Sequence, residues 1–258
     1  MTMTSGADSA LGRRSSIERA HRLLSAFDYA HTRLTLSELS RRTGTPLTST
    51  HRLVSDMLQL GMLERDDEGC LTIGVDMWRF GLLAPRTYGI QRVALPFMQD
   101  VYATTGMPVH LGVREGNDAT FVESLRPRTD VDERPRLGSS YLLHTTAVGT
   151  AILASMPPAF QEDYLEMAGA QGEGEEYRVD AGVLRRELAL VRSEGYAVSR
   201  RKSAPSVSLG APVLDTSGNP LGAVSIIVPD GSVEASYGHL IRSTARAVQR
   251  TAWEQGLG

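Results

Sequence analysis

Residues 35–74 constrain the fold more tightly than any other stretch, because helix starts, helix stops and a turn follow one another there at short intervals. Thr35 and Glu38 have the spacing of a capping box, in which the threonine hydroxyl accepts from an orphan amide and the glutamate reaches back to the cap. Leu36 and Leu39 begin an apolar stripe, and Gly44 stands where that helix must stop and reverse. Thr45-Pro46 reads as a cap residue followed by proline at the first helical position, where a missing amide hydrogen costs nothing. From Leu47 onward, Leu53, Val54, Met57 and Leu58 keep helical spacing, and Gly61 ends the run. Two short extended runs, 62–64 and 70–73, then flank Asp66-Asp67-Glu68-Gly69, a hairpin turn. Upstream, Ser15 and Glu18 form another capping box ahead of Ile17, Ala20, Leu23, Leu24 and Phe27. Three short helices and a hairpin in this order predict a winged helix-turn-helix, a unit whose recognition helix enters the DNA major groove.

In that helix Thr48, Ser49, Thr50, His51 and Arg52 occupy the N-terminal turns. Hydroxyls suit phosphates and base edges, and an arginine pairs with guanine or with phosphate. Arg41 and Arg42, closing the preceding helix, are expected to hold the backbone. Charge is distributed accordingly. The chain carries a net charge of -3, but residues 1–65 hold nine arginines against six acids, which leaves the remainder at -6. A basic head on an acidic body is consistent with DNA reading. The acidic tip Asp66-Asp67-Glu68 is expected to stand off the duplex. Residues 1–14, with Arg13 and Arg14, read either as an arm that reaches a minor groove or as a plain tail.

The run 44–74 resembles the signature of the isocitrate-lyase-regulator (IclR) family of bacterial transcription factors. Gly44, Pro46, Thr48, Ser49, Arg52, Leu53, Val54, Gly61, Ile73 and Gly74 fall on its positions. The resemblance continues in order through Leu143-His144-Thr145-Thr146-Ala147-Val148-Gly149, Gly195-Tyr196-Ala197, Gly210-Ala211-Pro212-Val213 and Ala223-Val224-Ser225, covering roughly residues 15–255. It implies a GAF-like effector domain, a dimer or tetramer, and a palindromic operator that mirrors the protein's two-fold axis.

Between the halves, Met77, Trp78, Phe80, Gly81 and Leu83 form an apolar cluster interrupted by Pro85. By resemblance, residues 76–92 form a linker helix that helps the heads dimerise; the alternative is a helix packed back on its own domain. Beyond it, 93–105 is helical in pattern despite Pro96, and strands are predicted over 107–114 and 119–125. Helices follow over 147–156 and 160–168. Asp180 caps a further helix that Gly195 stops, strands 207–214 and 221–228 flank a turn, and a final helix spans 234–253. Helices mixed with a mainly antiparallel sheet make this an α+β domain, residues 93–258, behind a head of residues 15–75.

Carried over by position, the effector candidates are Gly149, Ser208 and Ser225, with Leu209 and Ile227 as walls and Met107 and His110 closing the far side. The family's usual cysteine four residues before the Pro212 position is Ser208 here, and the second serine of its Ser-x-Ser strand is Ile227. Its acidic segment after Gly-Tyr-Ala becomes Ser199-Arg200-Arg201-Lys202. That basic run favours an organic anion with an apolar body, unless it is simply a solvated loop face.

Enzymatic readings lack a constellation. Ser199 to Lys202 matches Ser-x-x-Lys, but its companion motifs are absent. No nucleophile elbow, phosphate-binding loop or dinucleotide fingerprint occurs. The six histidines are scattered without metal-ligand spacing, so neither metal nor cofactor is expected, and His110 and His144 read as structural. A single cysteine, Cys70, excludes an intrachain disulfide and fits a reducing cytoplasm. Neither a signal peptide nor an apolar run long enough to span a membrane is found. The expectation is a DNA-binding regulator with double-stranded operator DNA and a small-molecule effector as partners, dimeric or tetrameric. The rival is a sensor or scaffold whose degenerate helix-turn-helix mediates protein contacts, with a small-acyl hydrolase a more distant third.

Overall fold

The computed structural model describes residues 15–28, 30–83, 85–127, 135–170, 179–200 and 205–257. They divide into two compact units between residues 84 and 85. The arm residues 1–14, and Arg201 and Lys202, lie outside the described residues.

In the first unit the local signals produce α1 (Ser16–Leu24), α2 (Leu36–Thr43), α3 (Leu47–Gln59), β1 (Leu63–Arg65), β2 (Leu71–Ile73) and α4 (Val75–Gly81). Both capping boxes form: the Glu18 amide donates to Ser15 Oγ at 3.1 Å, the Glu38 amide to Thr35 Oγ1 at 3.3 Å, and each glutamate accepts from its cap amide at 2.8 Å. Gly44 closes α2 in the left-handed region at φ 62°, where a side chain would be strained. Pro46, and not Thr45, caps α3. The Thr45 carbonyl instead accepts from Ser40 Oγ at 2.6 Å, tying the turn back to α2. Leu23, Leu39, Val54, Met57, Leu63 and Leu71 make the core, and a bridge from Leu34 to Leu71 sets a third chain segment beside the hairpin. α4 buries none of its residues, leaving Trp78 and Phe80 64% and 61% exposed.

The single linker helix expected over 76–92 is two helices, α4 and then α5 (Pro85–Thr105). Proline opens the second, where it needs no amide partner, and α5, which continues through Pro96, lies wholly in the second unit.

That unit is an antiparallel sheet of β3 (Val109–Glu115), β4 (Asp118–Leu125), β5 (Ser140–Leu142), β6 (Ala197–Arg200), β7 (Ser206–Leu214) and β8 (Pro220–Pro229), in the order β5-β4-β3-β8-β7-β6. One face is covered by α5 and α9 (Glu234–Glu254), the other by α6 (Ala147–Ala154), α7 (Pro158–Ala170) and α8 (Ala181–Glu194). The α+β class expected from the sequence is the one that forms. Strand parity sorts the layers: Val207, Leu209, Ala211 and Val213 pack with Val224, Ile226 and Val228 under α5 and α9. β5 and β6 were not predicted, since three or four residues carry too little alternation to register as strands.

Every residue of α6 is buried, and the helix reaches the sheet only where side chains are missing. A Cβ on Gly210 would lie 2.6 Å from the Ala147 carbonyl, and one on Gly112 2.6 Å from Val148 Cγ1. Gly149 does the same on the other side, against the 3₁₀ turn Leu143–Thr145, where a Cβ would sit 2.2 Å from the Leu143 carbonyl oxygen. Gly149→Ala is therefore expected to cost about 3 kcal/mol through overpacking. Gly169→Ala, on α7 with nothing within 4 Å, should be neutral or slightly stabilising. Thermal unfolding of the two variants compares them directly.

Candidate nucleic-acid interface and ligand site

The helical period of α3 divides its predicted contact residues. Thr48, His51 and Arg52 are exposed along one face and Ser49 is half-buried at its margin. Thr50 was expected on that face and is instead 0% exposed. Its hydroxyl donates to the Pro46 carbonyl at 3.1 Å, so it belongs to the interior of the turn. Further along, Ser55 is half-buried on the same side, with Asp56 and Gln59 exposed, and Ser55 Oγ donates to the His51 carbonyl at 3.0 Å.

The two arginines of α2 part company as well. Arg41 is exposed, and its side chain makes no hydrogen bond among the described residues. Arg42 is engaged internally: Nε donates to the Ala26 carbonyl at 3.0 Å and Nη2 to Asp28 Oδ2 at 2.7 Å. The same carboxylate takes His31 Nδ1 at 2.8 Å, and that contact above all holds Asp28 below the usual carboxylate range. Arg42 thus closes the loop between α1 and α2.

The acidic wing tip has a counter-charge that the sequence reading did not find. Arg33 Nε meets Asp66 Oδ2 at 2.6 Å and Arg33 Nη2 meets Glu68 Oε2 at 3.1 Å. Asp66 Oδ1 also accepts from the Glu68 and Cys70 amides, each at 3.0 Å, which shapes the turn around Gly69. The Arg33 guanidinium, foremost, keeps the Asp66 carboxyl below its ordinary range. The only sequence clue was Arg33 next to Leu34, whose bridge to β2 carries it to the hairpin.

In the second unit, strand register sorts the effector candidates. His110 lies opposite Ser225, Ser225 opposite Gly210, and Ser208 opposite Ile227, all on the face toward α6, α7 and α8. They begin where the glycine-mediated footprint of α6 on Gly112 and Gly210 ends. The His110 ring meets Phe121 edge-on at 5.8 Å, and Phe121 meets Tyr141 in the same manner at 6.0 Å. Phe121, missed in the sequence, therefore joins this group; it stands on β4 as a lone aromatic among small and polar neighbours.

Three candidates fall elsewhere. Leu209 is on the opposite face, inside the core under α5 and α9, because one step along a strand reverses the side chain. Met107 packs against that same core. Gly149 is buried in the α6 packing already described, and its amide donates to Thr146 Oγ1 at 3.0 Å as part of the helix cap. Arg200, from the basic run, is paired with Glu234 on α9, so its charge is already offset. His144 anchors the entry to α6: Nδ1 lies 2.7 Å from the Tyr164 hydroxyl, which also accepts from the His144 amide at 3.2 Å. Burial pushes the Tyr164 phenol up to about 12, so it stays neutral. Among the described residues, no helix is long and apolar enough to cross a membrane.

Comparison with known proteins agrees with this geometry in both units. Residues 16–67 match the IclR helix-turn-helix domain, and residues 84–252 match the bacterial transcriptional regulator IclR C-terminal domain. The transcriptional regulator KipR of Bacillus subtilis is 30% identical over 194 residues, 75% of this chain and 78% of its own. The transcriptional repressor AllR of Klebsiella pneumoniae is 26% identical over 241 residues, 90% of this chain and 88% of its own. An IclR homolog from Microbacterium hydrocarbonoxydans, solved with 4-hydroxybenzoate, superimposes with a TM-score of 0.81 at 25% identity, covering 92% of this chain and 98% of that one. With its helix-turn-helix and its sheet domain both matched, and the second match alone spanning more than half of its length, the chain belongs to the IclR family of bacterial transcriptional regulators.

Proposed function

We propose that the chain is a ligand-responsive regulator that reads a palindromic operator as a dimer or tetramer. The observation that carries the DNA contact is the exposed face of α3. Thr48, His51 and Arg52 supply donors suited to base edges and phosphates, with Ser49 at the margin, while Arg41 extends the positive surface from α2. Thr50 and Arg42 support this surface from behind. Arg33 lets the acidic wing approach the duplex, since two of its three carboxylates carry a counter-charge. The exposed Trp78 and Phe80 of α4, with the 77%-exposed Leu83 just after it, are suited to pairing two heads. In this reading the head spans 15–75, the connecting segment 76–92 and the effector domain 93–258.

The effector sits on the sheet face at His110, Ser208, Ser225 and Ile227, with Phe121 as an aromatic wall. Two hydroxyls and an imidazole beside apolar surface suit a small organic acid with an apolar body. The relative solved with 4-hydroxybenzoate supports that class. Effector binding shifts the balance between head arrangements by as much as its affinities for them differ.

Fluorescence anisotropy with DNA from upstream of the chain's own gene, at two salt concentrations and against scrambled competitor, tests the reading. Competitor-resistant, steeply salt-dependent binding is expected. Equal, weak binding to both DNAs would transfer the role to protein contacts. Arg52→Ala should weaken operator binding by about 1–3 kcal/mol in a protein of unchanged melting temperature.

Arg33→Ala should weaken operator binding several-fold, and adding Asp66→Asn with Glu68→Gln should restore most of the loss. If the triple variant binds no better than the single, the wing does not face phosphate. Because the Asp66 pKa is depressed in the fold, its tie to Arg33 is complete above the ordinary aspartate pKa of about 4. It is lost as pH falls through the lower folded value. Amide exchange of the hairpin should accelerate over that window.

Ser225→Ala should keep operator binding intact while blunting release by an active effector. A full response in that variant would displace the pocket from this face.

A further inference from the structure

At the far edge of the same sheet lies a second concavity, lined by different residues. β6 begins at Ala197, opposite Gly210, so among the described residues β7 from Ala211 to Leu214 has no strand beyond it. Pro212 has no amide hydrogen to leave unpaired on that edge. The Leu214 amide is satisfied by Gln249 Oε1 at 3.1 Å, and its carbonyl by Trp253 Nε1 at 2.9 Å. The end of α6, the start of α7, α8 and α9 wall the opening into a cleft of about 870 Å³.

Four arginines line it: Arg185, Arg192, Arg242 and Arg246. The one lining carboxylate is Glu162, and it is bound to Arg185. Arg192 Nη1 meets only the Gln161 amide oxygen, at 3.3 Å. Arg242 crosses Gly195, where a Cβ would lie 2.7 Å from its Cδ, and donates to the Glu194 carbonyl at 2.7 Å. Its other contact is His239 Nδ1 at 2.9 Å. Arg246 has no hydrogen-bond partner among the described residues. Three guanidiniums without a carboxylate among the described residues thus converge from α8 and α9, and one of them is held in place by backbone. Like charges gathered at one cleft repel unless an anion sits among them, and guanidinium forks match carboxylate and phosphate oxygens.

We propose that this cleft is a second ligand site, separate from the sheet-face pocket at Ser225, that binds a small multiply charged anion: a di- or tricarboxylate or a phosphate ester. The volume fits a metabolite rather than a macromolecule. Such a ligand ties α8 to α9 across the open sheet edge and stabilises the domain whichever head arrangement is present.

Isothermal titration calorimetry of the full chain with citrate, and separately with inorganic phosphate, at ionic strength matched by chloride, provides the test. Saturable binding is expected for wild type and for Ser225→Ala. At least tenfold weaker binding is expected for Arg192→Gln/Arg246→Gln and a smaller loss for Arg246→Gln alone; all three side chains changed here are solvent-facing or small. Preference between the probes assigns the carboxylate or the phosphate class. Absence of saturable binding of either anion to wild type, or equal binding to the arginine variants, would overturn the site. Loss in Ser225→Ala with retention in the arginine variants would place the anion in the sheet-face pocket instead.

Discussion

The close approach of α6 to the sheet is the contact on which the second unit depends. A helix with all eight residues buried can lie against a pleated surface only if the backbones come near contact. Gly112, Gly149 and Gly210 make that possible by presenting no Cβ where carbonyls and Val148 already fill the space. The same contact fixes which strand residues lie beyond the helix. Under α6 the strands are glycine or alanine; one pleat further along they carry His110, Ser208, Ser225 and Ile227. The shape of the face is therefore a by-product of packing, and polar side chains, the buried His110 and Ser225 among them, occur just past the footprint of the helix.

Charge in the first unit follows a similar economy. Of the arginines near the helix-turn-helix, Arg42 is taken up by Asp28 and Ala26 and Arg33 by the wing acids, while Arg41 and Arg52 face solvent. A count of basic residues in a stretch of sequence thus overstates the charge offered to a partner. The exposed pairs contribute little to folding stability by themselves. Their effect is positional: Asp28, with His31 and Arg42, shapes the loop entering α2, and Arg33 steadies a three-residue hairpin too short to be stable alone.

Most element identities were legible, with β5, β6 and the break between α4 and α5 the exceptions. Capping boxes at Ser15 and Thr35, the left-handed glycines at 44 and 195, Asp180 before α8 and the turn after Leu214 are local signals that act within four or five residues. Facing was less legible. β7 alternates half-buried Ser206 and Ser208 with buried Val207 and Leu209, so strand parity separates Leu209 from Ser208 where placement by family position did not. Thr50 lies in a helix whose polar and apolar residues do not part cleanly by type, so its hydroxyl read as outward when it bonds the preceding turn.

The sequence by itself determined the longer helices and strands, most of their ends, and the family, because each rests on short-range hydrogen bonding, backbone conformation or motifs in register. Only the tertiary structure decided which arginines are engaged and which line a surface. Arg33 finds Asp66 thirty-three positions away and Arg200 finds Glu234 thirty-four positions away. The arginine-lined cleft at the end of β7 gathers residues from 154 to 249. Coulomb and hydrogen-bond partners at such separations are set by how the layers stack, and no local pattern in the chain encodes them.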